Sequence, residues 1–279
     1  MKLDLISKIY KKRIIILGSR GMLGSLVNSY FKKKKYFIRN INIKIKHNNV
    51  RRIINLVNKY PESILINCIG KIKQKRYTPE DIFFINSIFP YLLSKNLYKK
   101  HFLVHPSTDC VFNGNNSNFY KLNSNFNAHD DYGISKYLGE IFLKNRPSTL
   151  ILRTSIIGVT KNSKNNLLSW FLFTKKKKIS GYTNHYWNGI TTLEWCKRLE
   201  EILKNMNNNF FLRSSTIQLG MKKKYSKYEL LNVAKKVFNI KCSIYKKKVE
   251  YINRCLKPSV FSPNLTIQLK EFKNYLNLI

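Results

Sequence analysis

Short apolar runs alternate with stretches of helical spacing through the first half of the chain. Arg13-Ile14-Ile15-Ile16-Leu17 is a continuous β-branched run that leads straight into glycines, the pattern of a strand buried on both faces. Apolar positions at Leu23, Leu26, Val27, Tyr30 and Phe31 predict a helix over 22–31. Further strands are predicted at 63–68, 102–105 and 150–153, and helices at 81–98 and 132–144, the last with apolar spacing at Leu138, Ile141 and Phe142. Strands alternating with helices predict an α/β protein, a parallel sheet with helices on both faces.

Beyond about residue 155 the pattern changes. Asn- and Lys-rich loops separate two helices, predicted over 191–204 and 227–238. The second opens with Ser226-Lys227-Tyr228-Glu229, whose serine and glutamate are spaced for a capping box. The expected organisation is a parallel-sheet domain over 1–155 and a smaller, partly interleaved lobe over 156–279.

Composition adds one conspicuous fact. Lys+Arg number 52 and Asp+Glu 14, a formal net charge of +38. A polyanion binder is one explanation. However, the Lys runs at 32–35, 175–178, 222–224 and 246–248 are dispersed, and Lys, Asn and Ile share A/T-rich codons. The charge is read as compositional drift, with no dedicated nucleic-acid partner. Hydrophobic residues at 43% are enough for a core, so disorder of the whole is excluded. No stretch approaches the ~18 apolar residues of a membrane span. The five cysteines form no CxxC pair, the five histidines show no metal spacing, and the first residues lack a secretory core. A reduced cytoplasmic setting and no metal are expected.

Gly18-Ser19-Arg20-Gly21-Met22-Leu23-Gly24 follows a strand and opens a helix. Glycines there permit a tight turn and close approach of the backbone to a pyrophosphate, and the helix N-terminus offers free N–H groups. The acidic residue that holds an adenosine ribose in NAD-binding chains is missing, since no Asp or Glu lies between Asp4 and Glu62. Arg20, in the loop, and Arg39, near the end of the next strand, suit a 2′-phosphate instead. NADPH is therefore the expected cofactor, with NADH as the alternative.

Tyr132-Gly133-Ile134-Ser135-Lys136 places Tyr and Lys on one helix face. Chance alone yields roughly 2.5 such pairs in a chain this rich in both residues, and three are present: Tyr30/Lys34, Tyr91/Lys95 and Tyr132/Lys136. Context selects the last, which follows Pro106-Ser107-Thr108-Asp109-Cys110-Val111-Phe112 and runs on to Gly139-Glu140.

Together these segments resemble the extended short-chain dehydrogenase/reductase family, and within it the dTDP-4-dehydrorhamnose reductase group of nucleotide-sugar reductases. The resemblance rests on the Gly18/Gly21/Gly24 loop, Asn67-Cys68-Ile69-Gly70, Ser107-Thr108-Asp109, Tyr132-Gly133-Ile134-Ser135-Lys136 and Leu152-Arg153-Thr154-Ser155. It extends more weakly into Asn188-Gly189-Ile190-Thr191-Thr192-Leu193 and Asn253-Arg254-Cys255-Leu256. It implies a Rossmann-type doubly wound sheet and reduction of a sugar 4-keto group for polysaccharide or O-antigen synthesis. By the same resemblance Tyr132 is the general acid. Lys136 lowers its pKa and holds the nicotinamide ribose, Thr108 binds the substrate carbonyl, and Asn86 supports a proton-relaying water. The Gly18–Gly24 loop and Asn67, Cys68, Ile69 and Gly70 line the cofactor. Thr108, Asp109, Asn166, Trp187 and Arg254, with Asn165, Trp170 and Thr191 as further candidates, face the sugar nucleotide.

The chain departs from that family where an adenine-side carboxylate is usual at a strand end, because Lys44, Ile45 and Lys46 stand there. Two rival readings remain open. One is a non-catalytic subunit of the same fold serving a partner enzyme, and the other is a nucleotide-sugar epimerase or dehydratase. The sequence leaves the oligomeric state open, with a homodimer as one candidate assembly.

Overall fold

The computed structural model describes residues 13–74, 77–160, 166–206 and 213–277. The chain divides into two compact units. The first comprises Met1–Ser107, His129–Leu152 and Cys196–Ile217; the second comprises Thr108–Ala128, Arg153–Trp195 and Gln218–Ile279.

In the first unit β1 (Arg13–Leu17) leads to α1 (Met22–Lys33), β2 (Phe37–Ile41), α2 (Val50–Asn58) and β3 (Ser63–Asn67). A long helical stretch follows, α3 (Pro79–Phe83) and α4 (Phe89–Asn96), joined by a π turn at Phe84–Ile88. Then come β4 (His101–Ser107), α5 (Asp131–Lys144) and β5 (Thr149–Arg153). The strand order is β5-β4-β3-β1-β2, and β1 lies between β2 and β3, parallel to both. The connection after β1 goes one way across the sheet and the next goes the other, so the ends of β1 and β3 enclose the switch point where such folds bind nucleotides.

Register explains the apolar runs. Ile15, Leu65 and Leu103 are neighbours across β1, β3 and β4. They join Leu17, Ile53, Ile54, Phe89, Leu93, Leu143 and Ile151 in one buried cluster. The alternate residues Ile14, Ile16, Ile64, Ile66, Phe102 and Val104 are equally buried. Each such side chain contributes about 2 kcal/mol by leaving water, and burial on both faces is why these strands read as continuous apolar runs.

The strand Ser214–Met221 borders β5 and carries the chain from the first unit into the second, where Leu219–Met221 pair in parallel with Val260–Ser262. The second unit otherwise has only short sheets, such as Tyr225–Ser226 against His185–Trp187 and Ser243–Lys247 against Lys178–Tyr182. Its helix Lys227–Phe238 begins at the predicted residue and carries the capping box, with Ser226 and Glu229 each bonded to the other's backbone N–H. Among the described residues no helix is long and apolar enough to cross a membrane.

Candidate active site

The glycine loop forms the first part of the site. Gly18 has φ +78°, and a Cβ on it would stand 2.8 Å from Ile69 Cγ1. A Cβ on Gly24 would stand 2.2 Å from the Gly18 carbonyl oxygen, so the loop closes onto α1 only with glycine at both places. Helix α1 has no acidic residue in its first turn and no side-chain cap at Gly21, so its first N–H groups face outward for an anion.

Beside the loop lies a groove of about 810 Å³, lined by Gly18, Arg20, Gly21, residues 42–48, Ile69, Gly70, Lys71, Asp81, Phe84 and Ile85. Lys44, Ile45 and Lys46, expected at the end of a strand, lie in no strand and instead line this groove. Its basic side chains are Arg20, Lys44, Lys46 and Lys71, and its single carboxylate, Asp81, is ion-paired with Lys71. His47 stacks on Phe84 with ring centroids 3.6 Å apart. Of the expected cofactor residues, Gly18, Arg20, Gly21, Ile69 and Gly70 line the groove, while Ser19 donates to Asn42 Oδ1 at 2.7 Å. Ser19, Met22, Leu23, Gly24, Asn67 and Cys68 do not line it. Arg39 also lies elsewhere. It sits mid-strand opposite Ile15, and its guanidinium rests over Tyr60, 5.5 Å from the ring centroid.

Helix α5 supplies the second part. Asp130 caps it by accepting from the Gly133 N–H at 2.7 Å, which places Tyr132 in the first turn, half-buried. Lys136, one turn on, is only 6% exposed. Its ammonium donates to the Pro106 carbonyl at 2.8 Å and lies 3.2 Å from His105 Nε2. Burial pushes Lys136 down to about 8, against the neighbouring Glu140, which favours the cation. Glu140 is itself buried and accepts from the Ser107 hydroxyl.

Asn86, on the π turn, bridges groove and helix. Its Oδ1 accepts from the Lys71 N–H at 3.0 Å, and its Nδ2 donates to the Lys71 carbonyl at 3.0 Å and to Ser135 Oγ at 3.1 Å. A Cβ on Gly139 would stand 2.2 Å from the Asn86 carbonyl oxygen, so that glycine permits the close approach of α5 to the π turn. The side chain of Asn86 is thus engaged with protein groups at both ends.

The remaining expected residues belong to the second unit. The Thr108 hydroxyl accepts from the Cys110 N–H at 3.1 Å and lies 3.2 Å from Asp109 Oδ1, to which it donates. Asn166 caps the helix Leu167–Leu172 by accepting from the Ser169 N–H at 2.9 Å. Trp187 is buried, and Thr191 caps the helix Thr192–Asn205 by accepting from the Glu194 N–H at 3.1 Å. Trp170 is half-buried, and Asn165 lies outside the described residues. Arg254 donates from Nε to the Phe112 carbonyl at 2.8 Å. Lys227, half-buried over the Trp187 ring at 5.8 Å and near Asp109 and Arg254, is a cation the sequence reading passed over. His105 and the groove residues Lys71 and His47 likewise had no expected role in the site. The signal for the groove was their position just after strands of a parallel sheet; no signal in the local pattern marked His105 or Lys227. Among the described residues no group of three or more His, Cys, Asp or Glu side chains is placed to hold a metal ion.

A glycine turn at the switch point, an uncapped helix N-terminus and a basic groove define a Rossmann-type dinucleotide-binding protein. Comparison with known proteins narrows this class. Residues 12–246 match the model of the family described as RmlD substrate binding domain, and the chain belongs to that family of nucleotide-sugar reductases. A curated relative, the probable low-salt glycan biosynthesis reductase Agl14 of Haloferax volcanii, is 25% identical over 171 residues. That match covers 56% of this chain and 57% of the relative, so the chain spans little more than half the length of that protein. Among solved structures, the dTDP-4-dehydrorhamnose reductase of Bacillus anthracis in complex with NADP has a TM-score of 0.80 at 20% identity, covering 95% of this chain and 99% of that one. The Bordetella bronchiseptica enzyme WbmG in complex with NAD and UDP has a TM-score of 0.75 at 14% identity, covering 94% and 95%. At those identities the structures establish the shared fold.

Proposed function

We propose that the protein is an NADPH-dependent reductase of the 4-keto group of a nucleotide-linked deoxy sugar. It would work in the cytoplasm as a homodimer and supply a sugar for a polysaccharide such as an O-antigen. The observation that carries this reading is the buried Lys136 one turn from Tyr132, on a helix tied through Asn86 to the glycine-loop groove.

The groove fits a dinucleotide: the Gly18–Gly24 turn admits a pyrophosphate against the backbone, and Arg20, Lys44 and Lys46 meet its anionic groups. These cations, with the only lining carboxylate among the described residues already paired, favour a cofactor carrying a 2′-phosphate. When bound, the dihydronicotinamide supplies hydride to the keto carbon. Tyr132 donates the proton to the keto oxygen. Lys136 holds the ribose hydroxyls, and its positive charge favours ionisation of the Tyr132 phenol, as acid catalysis near neutral pH requires. Thr108 turns its O–H from Asp109 to the keto oxygen. Arg254 presents its remaining guanidinium N–H groups to the diphosphate.

The test is consumption of NADPH by the purified protein with freshly generated dTDP- and UDP-linked 4-keto-6-deoxy sugars. At least one should support turnover, faster with NADPH than with NADH. A protein that binds the cofactor and turns over none of these sugars would not be such a reductase.

A further inference from the structure

His105 takes no part in the chemistry above, yet it is 1% exposed and touches Lys136. Its Nε2 lies 3.2 Å from Lys136 Nζ and its Nδ1 lies 3.3 Å from Asn67 Nδ2. The Asn67 amide is oriented by a neighbour that can only donate, since the backbone N–H of Ile69 gives its hydrogen bond to Asn67 Oδ1 at 3.3 Å. The amide NH2 therefore faces His105 and donates to Nδ1.

A neutral imidazole carries one N–H. With Nδ1 accepting, the proton sits on Nε2, which then donates towards Lys136. An ammonium has no lone pair to receive it, whereas a neutral amine has one. The sequence of bonds Ile69 to Asn67 to His105 to Lys136 to the Pro106 carbonyl is complete only with Lys136 uncharged. With Lys136 charged, two donors oppose each other. They meet at the His105–Lys136 contact or, after a change of imidazole tautomer, at the Asn67–His105 contact. His105 stays neutral in either state of Lys136, because burial holds its pKa well below the usual range and a charge on Lys136 only adds to that.

Other ionisable groups around Lys136 do not replace this effect. Glu140 and Tyr132 share its helix, and Glu140 acts in the opposite sense. Cys68, at the end of β3, is kept as the neutral thiol by burial. The helices packed against α5 carry Glu80, Asp81, Tyr91 and Lys95. None of these is bonded to Nζ, whose hydrogen-bond partners among the described residues are His105 and Pro106.

We propose that Asn67 and His105 are positioning residues that set the charge of Lys136, their one-way relay of N–H groups favouring its neutral amine beyond what burial does. The consequence for turnover rests on the reductase reading; the effect on Lys136 itself does not.

Two measurements on the cofactor-free protein test the proposal. The imidazole nitrogens of His105, followed by 15N NMR, should show the Nε2–H tautomer above the titration of Lys136. Finding Nδ1–H there would overturn the proposal. The pH dependence of Lys136 acylation, read by mass spectrometry, should shift upward in His105→Leu, which removes the donor. In Asn67→Asp the carboxylate accepts from Nδ1–H and leaves Nε2 free to accept from an ammonium. That shift should be about one pH unit or more, a tenfold change in amine fraction. A downward shift in His105→Leu, the result expected if His105 accepts from the ammonium, would refute the assignment. The tautomer needs no variant, so it decides the matter even where a substituted chain does not fold. With a keto sugar as substrate, the alkaline limb of kcat/KM should follow the same direction. Absence of all turnover with the Nε2–H tautomer present would overturn the reductase reading and leave this one standing.

Discussion

In the parallel-sheet unit the strands are apolar on both faces, and Asn67, His105, Ser135, Lys136 and Glu140 gather around the ends of β3 and β4 and the start of α5. In the second unit the buried polar side chains are spread along loops. Asn188 bonds the carbonyls of Met221 and Leu256 and the Leu256 N–H. Gln218 bonds those of Tyr120 and Lys257, and Asn253 bonds those of Asn116, Ser117 and Asn118. The difference follows from where backbone hydrogen bonds are made. A long parallel ladder satisfies its own N–H and C=O groups, so its buried polar side chains can bond to one another, as Asn67 does to His105, His105 to Lys136 and Ser107 to Glu140. Short strands and loops leave backbone groups unpaired, and side-chain amides must satisfy them.

Four experiments would break or sharpen this contrast. The largest effect is expected at Tyr132. Tyr132→Phe should lower kcat about 10²- to 10⁴-fold, with the thermal midpoint unchanged. A loss of activity accompanied by unfolding would mean that this polar cluster is structural after all. Asn253→Ala should do the opposite, destabilising the protein by about 4 kcal/mol in urea unfolding because three carbonyls lose their donor. A change under about 1 kcal/mol would show that water replaces the amide there.

The third concerns acid. His101, buried at the start of β4, is pushed down to about 4, mainly by burial, with Lys100 and Arg146 adding to the effect. Between its unfolded value near ~6.5 and about 4 the unfolded chain binds a proton that the native state does not. Stability should therefore fall as pH drops through that window, by roughly 3 kcal/mol at its lower end. His101→Phe should flatten the slope; an unchanged slope would place the acid sensitivity elsewhere. The smallest effect separates two cations. Lys44→Ala should weaken cofactor binding about fivefold, and Arg39→Ala less than twofold, since only Lys44 lines the groove. Equal effects in calorimetric titration would show that the charge acts as a diffuse field, and both differences should shrink with added salt.

Legibility followed the same division. The run 13–17 is β1 residue for residue, and the helix expected over 227–238 is Lys227–Phe238, because a two-sided strand and a capped helix are written in neighbouring residues. The helix expected over 81–98 is Pro79–Asn96 interrupted by a π turn, where Asn86 reaches Lys71 and Ser135. Helix α2 was not among the expected elements, although Val50, Ile53, Ile54 and Val57 fall at helical spacing, because Arg51, Arg52 and Lys59 obscure the pattern. Arg39 illustrates the limit at the site: it was expected near the end of the second strand, but it sits in the middle of β2 and its side chain is engaged with Tyr60.

Local pattern alone therefore determined the α/β alternation and the glycine turn after β1, since each depends on residues within about a turn or a strand of one another, whereas the Tyr132/Lys136 pair was singled out only by its wider context. Tertiary structure alone decided which cations line the groove, which asparagines and glutamines hold loops together, and that a histidine 31 residues before Lys136 touches its amine. Those outcomes depend on contacts between distant segments and on burial, which alter hydrogen-bond partners and pKa values without leaving a periodic trace in the chain. The charge of +38 belongs to neither list, as most of the excess lies outside the groove and the α5 cluster.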